Sequence, residues 1–285
     1  MDRSTLDGLA RPVQVIAVTG GKGGVGKTSV AVNLAAALAA NDKRVVLLDG
    51  DLGLANVDVF LGLSPRYTLA HVLNGERTLD EILVTAPQGF LVVPAASGAA
   101  NLANMDARAH LGLVQAFSAL ATQVDVLIVD TAAGLGHGVT QFSQAAQQVV
   151  VTICDEPASL TDAYALVKVL SRHHGVSRFR VLTNMIRSQG GGRDLFRRFE
   201  RVTTRFLDVV LDFVGEIPED EYLRRAVRAQ RTVTDAYPAS ISAQAFRKLS
   251  CKASAWPIPD GPRGNLEFFV ERLVQPRPAR LEAVQ

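Results

Sequence analysis

The sequence predicts an α/β protein: a single doubly wound, mostly parallel sheet flanked by helices. Three observations predict it. Short apolar, β-branched runs alternate with longer segments of helical period, no proline- or serine-rich linker divides them, and the first strand–helix junction carries a glycine-rich loop. The 285 residues are 48% hydrophobic with a formal net charge of +2, which supplies a sizeable core and excludes disorder as the main state. The strongest apolar runs, Val124–Val129 and Gln148–Cys154, are strand-sized, so no bilayer span is expected. Residues Met1–Asp7 contain two acids and no apolar run, so no secretory signal is expected. Cys154 and Cys251 match no metal or redox spacing. A cytoplasmic location is the expectation.

Strands are expected near Val13–Thr19, Arg44–Leu48, Phe90–Pro94, Val124–Val129, Gln148–Ile153, Phe179–Thr183 and Val209–Gly215. Runs that are apolar throughout suit strands covered on both faces. Helices are expected at Lys27–Ala40, Ala107–Thr122, Leu160–Arg172, Arg193–Leu207 and Ser240–Ala253. This divides the chain into one domain over residues 12–253, a C-terminal segment over 254–275, and flexible ends at 1–11 and 276–285. In that segment Leu266, Phe269, Val270, Leu273 and Val274 form one apolar stripe at helical spacing, with Glu267, Glu271 and Arg272 elsewhere. Charge is uneven. Asp49–Asp130 holds nine acids and three bases, whereas Arg178–Arg205 holds eight arginines and two acids. The basic stretch reads as a solvated helix face or as a surface for phosphates or an acidic partner.

Gly21-Lys22-Gly23-Gly24-Val25-Gly26-Lys27-Thr28 fits G-x-x-x-x-G-K-[ST], follows a strand and opens the helix that begins around Ser29. Glycines let backbone N–H groups converge on phosphate oxygens, and the helix N-terminus adds a positive dipole end. Lys27 is placed to reach β- and γ-phosphates and the Thr28 hydroxyl to ligate Mg²⁺. The cofactors this implies are ATP and Mg²⁺.

Lys22 adds a second lysine near the start of the loop. With it, the chain resembles the deviant Walker A ATPases, the MinD/ParA group of SIMIBI-class P-loop NTPases. In that group the early lysine crosses the interface of an ATP-dependent homodimer and contacts the partner's phosphates, a role implied here for Lys22. Asp49-Gly50-Asp51 ends a strand where the group keeps its switch I aspartates, so Asp51 is implied to position the attacking water and Asp49 to support the Mg²⁺ shell. Asp130 ends an apolar strand as the Walker B-like aspartate beside the metal, and Thr131–Gly138 is implied as switch II. Asn184 lies where the group places an asparagine against adenine, with Pro218 and Asp220 on the other wall. His137 is assigned no role, and Gly50 between the aspartates is expected to add backbone freedom.

Further segments resemble the FleN/FlhG branch, the MinD-like regulators of flagellar number: Val93–Gly98, Asp130–Gly134, Cys154–Pro157, Thr161–Ala165, Trp256–Pro259 and Pro262–Val274. The resemblance implies an ATPase that acts as antiactivator of the master flagellar regulator, a FleQ-like σ54-dependent AAA+ protein, and limits flagellar number. The wider branch also partners the SRP-like GTPase FlhF, but only Leu6-Asp7-Gly8-Leu9 stands where many members carry a motif that stimulates it. MinD proteins end in an amphipathic helix that lies on the membrane. For this chain's stripe the readings are docking on its own surface, peripheral contact with the inner face of the cell membrane, and partner contact. No sequence-specific nucleic-acid binding is expected. The alternative function is a ParA-type cargo-positioning ATPase that binds DNA nonspecifically through Arg193–Arg205.

Overall fold

Apolar β-branched residues in succession form strands buried on both faces, and the sheet is built from them. The computed structural model describes residues 12–95, 112–113, 116–118, 120, 123–258 and 267–269. In chain order its elements are β1 (Gln14–Thr19), α1 (Lys27–Ala39), β2 (Val45–Gly50), α2 (Val57–Leu61), α3 (Leu69–Leu73), α4 (Leu79–Ile82), β3 (Val84–Thr85), β4 (Leu91–Val93) and β5 (Val126–Thr131). These are followed by α5 (His137–Ala145), β6 (Gln148–Ile153), α6 (Pro157–His174), β7 (Arg178–Ile186), α7 (Gly191–Phe206), β8 (Val210–Pro218), α8 (Glu221–Arg228), α9 (Val233–Ala236) and α10 (Ile241–Ser254). The eight strands form one sheet in the order β3-β4-β2-β5-β1-β6-β7-β8. Every pair is parallel except β3–β4.

All seven expected strands are present, and β3 is the addition. Two residues are too few for a periodicity to register. β7 and β8 run longer than expected, so Asn184 lies inside β7 and Pro218 ends β8. Helix α6 begins at Pro157 rather than Leu160, with proline in its first turn, where a missing N–H costs nothing. The expected helix over Ala107–Thr122 falls mostly outside the described residues; 112–113 and 116–118 are helical.

Helices α1 and α10 cover one face of the sheet, and α5, α6 and α7 cover the other. Helix α1 is apolar nearly all round and is buried along most of its length between sheet and α10. Its one interior amide, Asn33, is satisfied on both sides: Nδ2 donates to the Ser29 carbonyl at 2.8 Å and Oδ1 accepts the Val233 N–H at 2.8 Å.

After α10 the chain crosses the start of the sheet. Gln14 Nε2 donates to the Ala253 carbonyl at 2.9 Å, Gln148 Nε2 to the Pro257 carbonyl at 2.7 Å, and the Arg180 guanidinium lies 4.4 Å from the Trp256 ring centroid. Phe268 and Phe269 are then buried on the opposite face. Phe268 meets Phe117 edge-on at 5.2 Å and stacks with Phe142 at 6.3 Å. At residues 268–269 the chain forms a turn, with Phe269 at φ +56°, and the rest of the expected amphipathic helix lies outside the described residues. Leu266, Val270, Leu273 and Val274 lie outside the described residues.

Candidate nucleotide site

The glycine loop leaves β1 at Thr19 and enters α1 at Lys27, and its glycines do different work. Gly24 (φ +80°) and Gly26 (φ +88°) take left-handed backbone that favours glycine. At Gly21 the reason is close packing. A Cβ there would stand 2.2 Å from the Asp162 carbonyl, so the backbone of α6 lies directly on the loop. A Cβ on Gly23 or Gly24 would meet nothing within 4 Å, which leaves that side of the loop open to a ligand. From β7, Asn184 Nδ2 donates to the Val25 carbonyl at 2.8 Å and steadies the loop. The resemblance implies Asn184 against a base; its buried amide also supports Val25, a contact no local signal announces. The Ser29 hydroxyl is buried without a partner among the described residues, as a group awaiting an anion would be.

Strands β2 and β5 are neighbours, and their register sets Asp49 opposite Asp130. Asp130 is buried. Burial pushes its carboxyl up to about 8, with Asp49 adding to the rise, against a hydrogen bond from Thr28 and the charge of Lys27. Its Oδ1 has no hydrogen-bond partner among the described residues. Burial also raises Asp49, to about 6, although it accepts backbone N–H bonds from Asp51 (3.2 Å), Asn56 (2.9 Å) and Val57 (3.0 Å). Both Asp49 oxygens thus accept backbone N–H groups and anchor the segment from Asp51 to the head of α2. Asp51 is less buried and accepts the Leu54 N–H at 3.0 Å. Lys27 is nearly buried. Desolvation lowers its pKa and the charges of Asp130 and Asp51 oppose that.

Thr28 and the orphaned Asp130 oxygen fit a hard divalent cation such as Mg²⁺, which would also relieve the excess of carboxylates. Among the described residues, no three His, Cys, Asp or Glu side chains are arranged to hold a metal ion.

A pH prediction follows. Between about 4, the unfolded carboxyl value, and about 8, folded protein holds the Asp130 proton and the unfolded chain does not. Stability of the metal-free, nucleotide-free protein therefore falls as pH rises through this window. Asp130→Asn is expected to melt several degrees above wild type at the alkaline side of the window and close to it at the acid side. Thermal melts in chelator across that range check this, and a pH-independent difference would refute it.

Gly50 corrects an expectation. A Cβ there would lie 2.7 Å from the Asp130 carbonyl and 3.3 Å from the Phe142 ring, so glycine serves close approach and not backbone freedom. Asp220 is also committed to the fold. It caps α8 through the Tyr222 N–H (2.9 Å) and accepts from Ser242 N (3.0 Å) and Oγ (2.7 Å). Burial works against these bonds, but they hold its carboxyl below the usual range. Pro218 lines an open groove of about 1310 Å³ along β8, between α7 and α10, that contains no residue of the glycine loop.

After β5, Gly134 (φ +94°) donates to the Gly20 carbonyl at 3.3 Å, and α5 begins at His137. Lys22 forms an ion pair with Glu156, the residue that precedes α6, and the neighbouring Asp155 pairs with Arg198 of α7 at 2.6 Å. Around this face Leu54, Leu135 and Met185 are large apolar residues left exposed, Leu54 at 73%.

Comparison with known proteins places these features in context. The family model ParA, described as NUBPL iron-transfer P-loop NTPase, matches residues 12–253. Antiactivator FleN of Pseudomonas aeruginosa is 56% identical over 277 residues, covering 97% of this chain and 99% of its own. Flagellum site-determining protein YlxH of Helicobacter pylori is 29% identical, covering 91% and 89%. Among solved structures, the septum site-determining protein MinD of Pyrococcus horikoshii, complexed with Mg-ADP, superposes with a TM-score of 0.71 at 24% identity, covering 86% of this chain and 97% of that one. The cell division ATPase MinD of Pyrococcus furiosus gives 0.71 at 25%, covering 85% and 99%.

Proposed function

The chain belongs to the ParA/MinD family of P-loop NTPases, as a MinD-like ATPase of the FleN type, and on that premise we propose that it is an ATP-driven switch that restrains flagellar gene expression. The observation that carries this reading is the end-to-end match to the antiactivator at 56% identity. ATP is the nucleotide in this proposal. Lys27 and the loop N–H groups bind its β- and γ-phosphates, while Thr28 and Asp130 hold Mg²⁺. The metal supplies charge neutralisation on the phosphates. Asp51, which follows β2, positions the attacking water, and Asn184, whose amide lies against the loop, borders the base.

Lys22 acts in trans across an ATP-dependent homodimer, leaving Glu156 to meet the partner's phosphates. The exposed Leu54, Leu135 and Met185 on the same face support a second copy as its cover. The dimer binds a FleQ-like σ54-dependent AAA+ activator in the cytoplasm and lowers its output, and FlhF is a further partner. Burial of Phe268 and Phe269 supports docking of the C-terminal segment on the protein itself.

The test is a titration of purified activator with the chain in a non-hydrolysable ATP analogue and in ADP, with assembly size read in parallel. Affinity is expected to be at least ~10-fold higher with the ATP analogue, a coupling of ~1.4 kcal/mol. Lys22→Ala should bind nucleotide yet neither dimerise nor show the gain. Equal affinities in both nucleotides would refute gating and favour the cargo-positioning alternative.

A further inference from the structure

The outer side of α7 carries a surface that the nucleotide chemistry leaves unused. The helix buries Leu195, Phe196, Phe199 and Thr203 and turns Arg198, Arg201, Val202, Arg205 and Phe206 outward. Residues 198, 202 and 206 recur every four positions along one line, and Arg201 and Arg205 form the line beside it. Val202 is 51% exposed and Phe206 57%. Val210, which opens β8, is 46% exposed. Three large apolar side chains therefore stand in water within nine residues of chain, at the sheet end remote from the glycine loop.

Cations surround them. The Arg205 guanidinium lies 5.3 Å from the Phe206 ring centroid, and exposed Arg178 pairs in register with Val210. Arg201 and Arg205 have no salt-bridge partner among the described residues. The nearby acids are Glu200, Asp208 and Asp212, and the last is already shared by Arg178 (2.9 Å) and Arg180 (3.2 Å).

Apolar side chains ringed by guanidinium groups match a headgroup layer, in which the apolar groups enter the acyl boundary and the cations meet lipid phosphates. Duplex DNA would satisfy the arginines but offers no apolar phase for Val202, Phe206 and Val210. The C-terminal segment leaves α10 at this same end of the sheet, where Arg180 joins Trp256, Gln148 and Asp212. That segment's own stripe is poor in cations, with Glu267 and Glu271 against Arg272. We propose that Arg201, Val202, Arg205, Phe206 and Val210 form a contact site for an anionic lipid surface.

The proposal holds whichever partner the ATP switch serves. A patch of this size binds weakly and reversibly, and two copies held in one dimer multiply the effect. Full-length protein in an ATP analogue is sedimented with vesicles of phosphatidylcholine, with and without phosphatidylglycerol. Wild type is expected to sediment with the anionic vesicles only. Arg201→Glu with Arg205→Glu should lower the bound fraction about tenfold or more, and Phe206→Ser should lower it separately. Both variants should keep wild-type ATP turnover in solution, which reports an intact fold. The proposal is overturned if wild type stays in the supernatant, if the double variant sediments like wild type, or if the double variant loses only salt-sensitive binding to duplex DNA.

Discussion

Asp51→Ala is expected to bind nucleotide normally and to hydrolyse it about 10²–10⁴-fold more slowly. Of the three carboxylates at the ends of β2 and β5, Asp51 alone is only partly buried, and it commits one oxygen to the Leu54 N–H. Asp49 is tied to three backbone groups, and Asp130 lies under Thr28. That leaves Asp51 as the least buried of the three carboxylates, the one proposed to position the attacking water. Single-turnover phosphate release, with affinity measured alongside, checks it. Wild-type turnover would move the role to Asp130.

Lys27→Ala is expected to weaken nucleotide binding at least about 100-fold. Burial lowers the pKa of this lysine and the nearby Asp130 and Asp51 oppose that, so it reaches the ligand with little water to shed. Its removal deletes the one positive side chain at the end of the loop and leaves an acidic site facing the phosphates. Calorimetric titration of wild type and variant with Mg-ATP measures the loss. Unchanged affinity would assign the phosphate charge to Lys22.

What the sequence revealed and what it hid divide along physical lines. Strands buried on both faces are continuous apolar runs, so Val126–Val129 and Val149–Ile153 were legible without tertiary knowledge. The glycine loop was legible because its spacing is local. Helices α2, α3, α4 and α9 were not, since four or five residues show no period. Helices α5 and α8, of nine and eight residues, were not read from the sequence either, and the further gaps are contacts between distant residues. Asn184 on Val25, Asp162 against Gly21 and Glu156 on Lys22 each join positions more than a hundred residues apart. Asp49 and Asp220 illustrate the same gap: a carboxylate beside a motif looks like a ligand, and only the fold shows which backbone N–H groups it also accepts.

The central strand precedes both of its partners by a long stretch of chain: Gln14 pairs with Val126, and Ile16 with Gln148. Pairing of this kind must close large loops before contacts repay the entropy, so folding is expected to be slow. Until then Gln-Val-Ile-Ala-Val-Thr is an unpaired, uncharged β-forming hexapeptide, a segment open to wrong pairing. The glycine loop that follows it takes its shape from Thr152, Asp162 and Asn184, which arrive with β6, α6 and β7. Nucleotide affinity is therefore a property of the finished sheet alone. At a hundredfold excess over the dissociation constant, ligand would hold that finished state by a further ~2.7 kcal/mol, so cellular nucleotide acts on this protein as a folding ligand before it acts as a fuel.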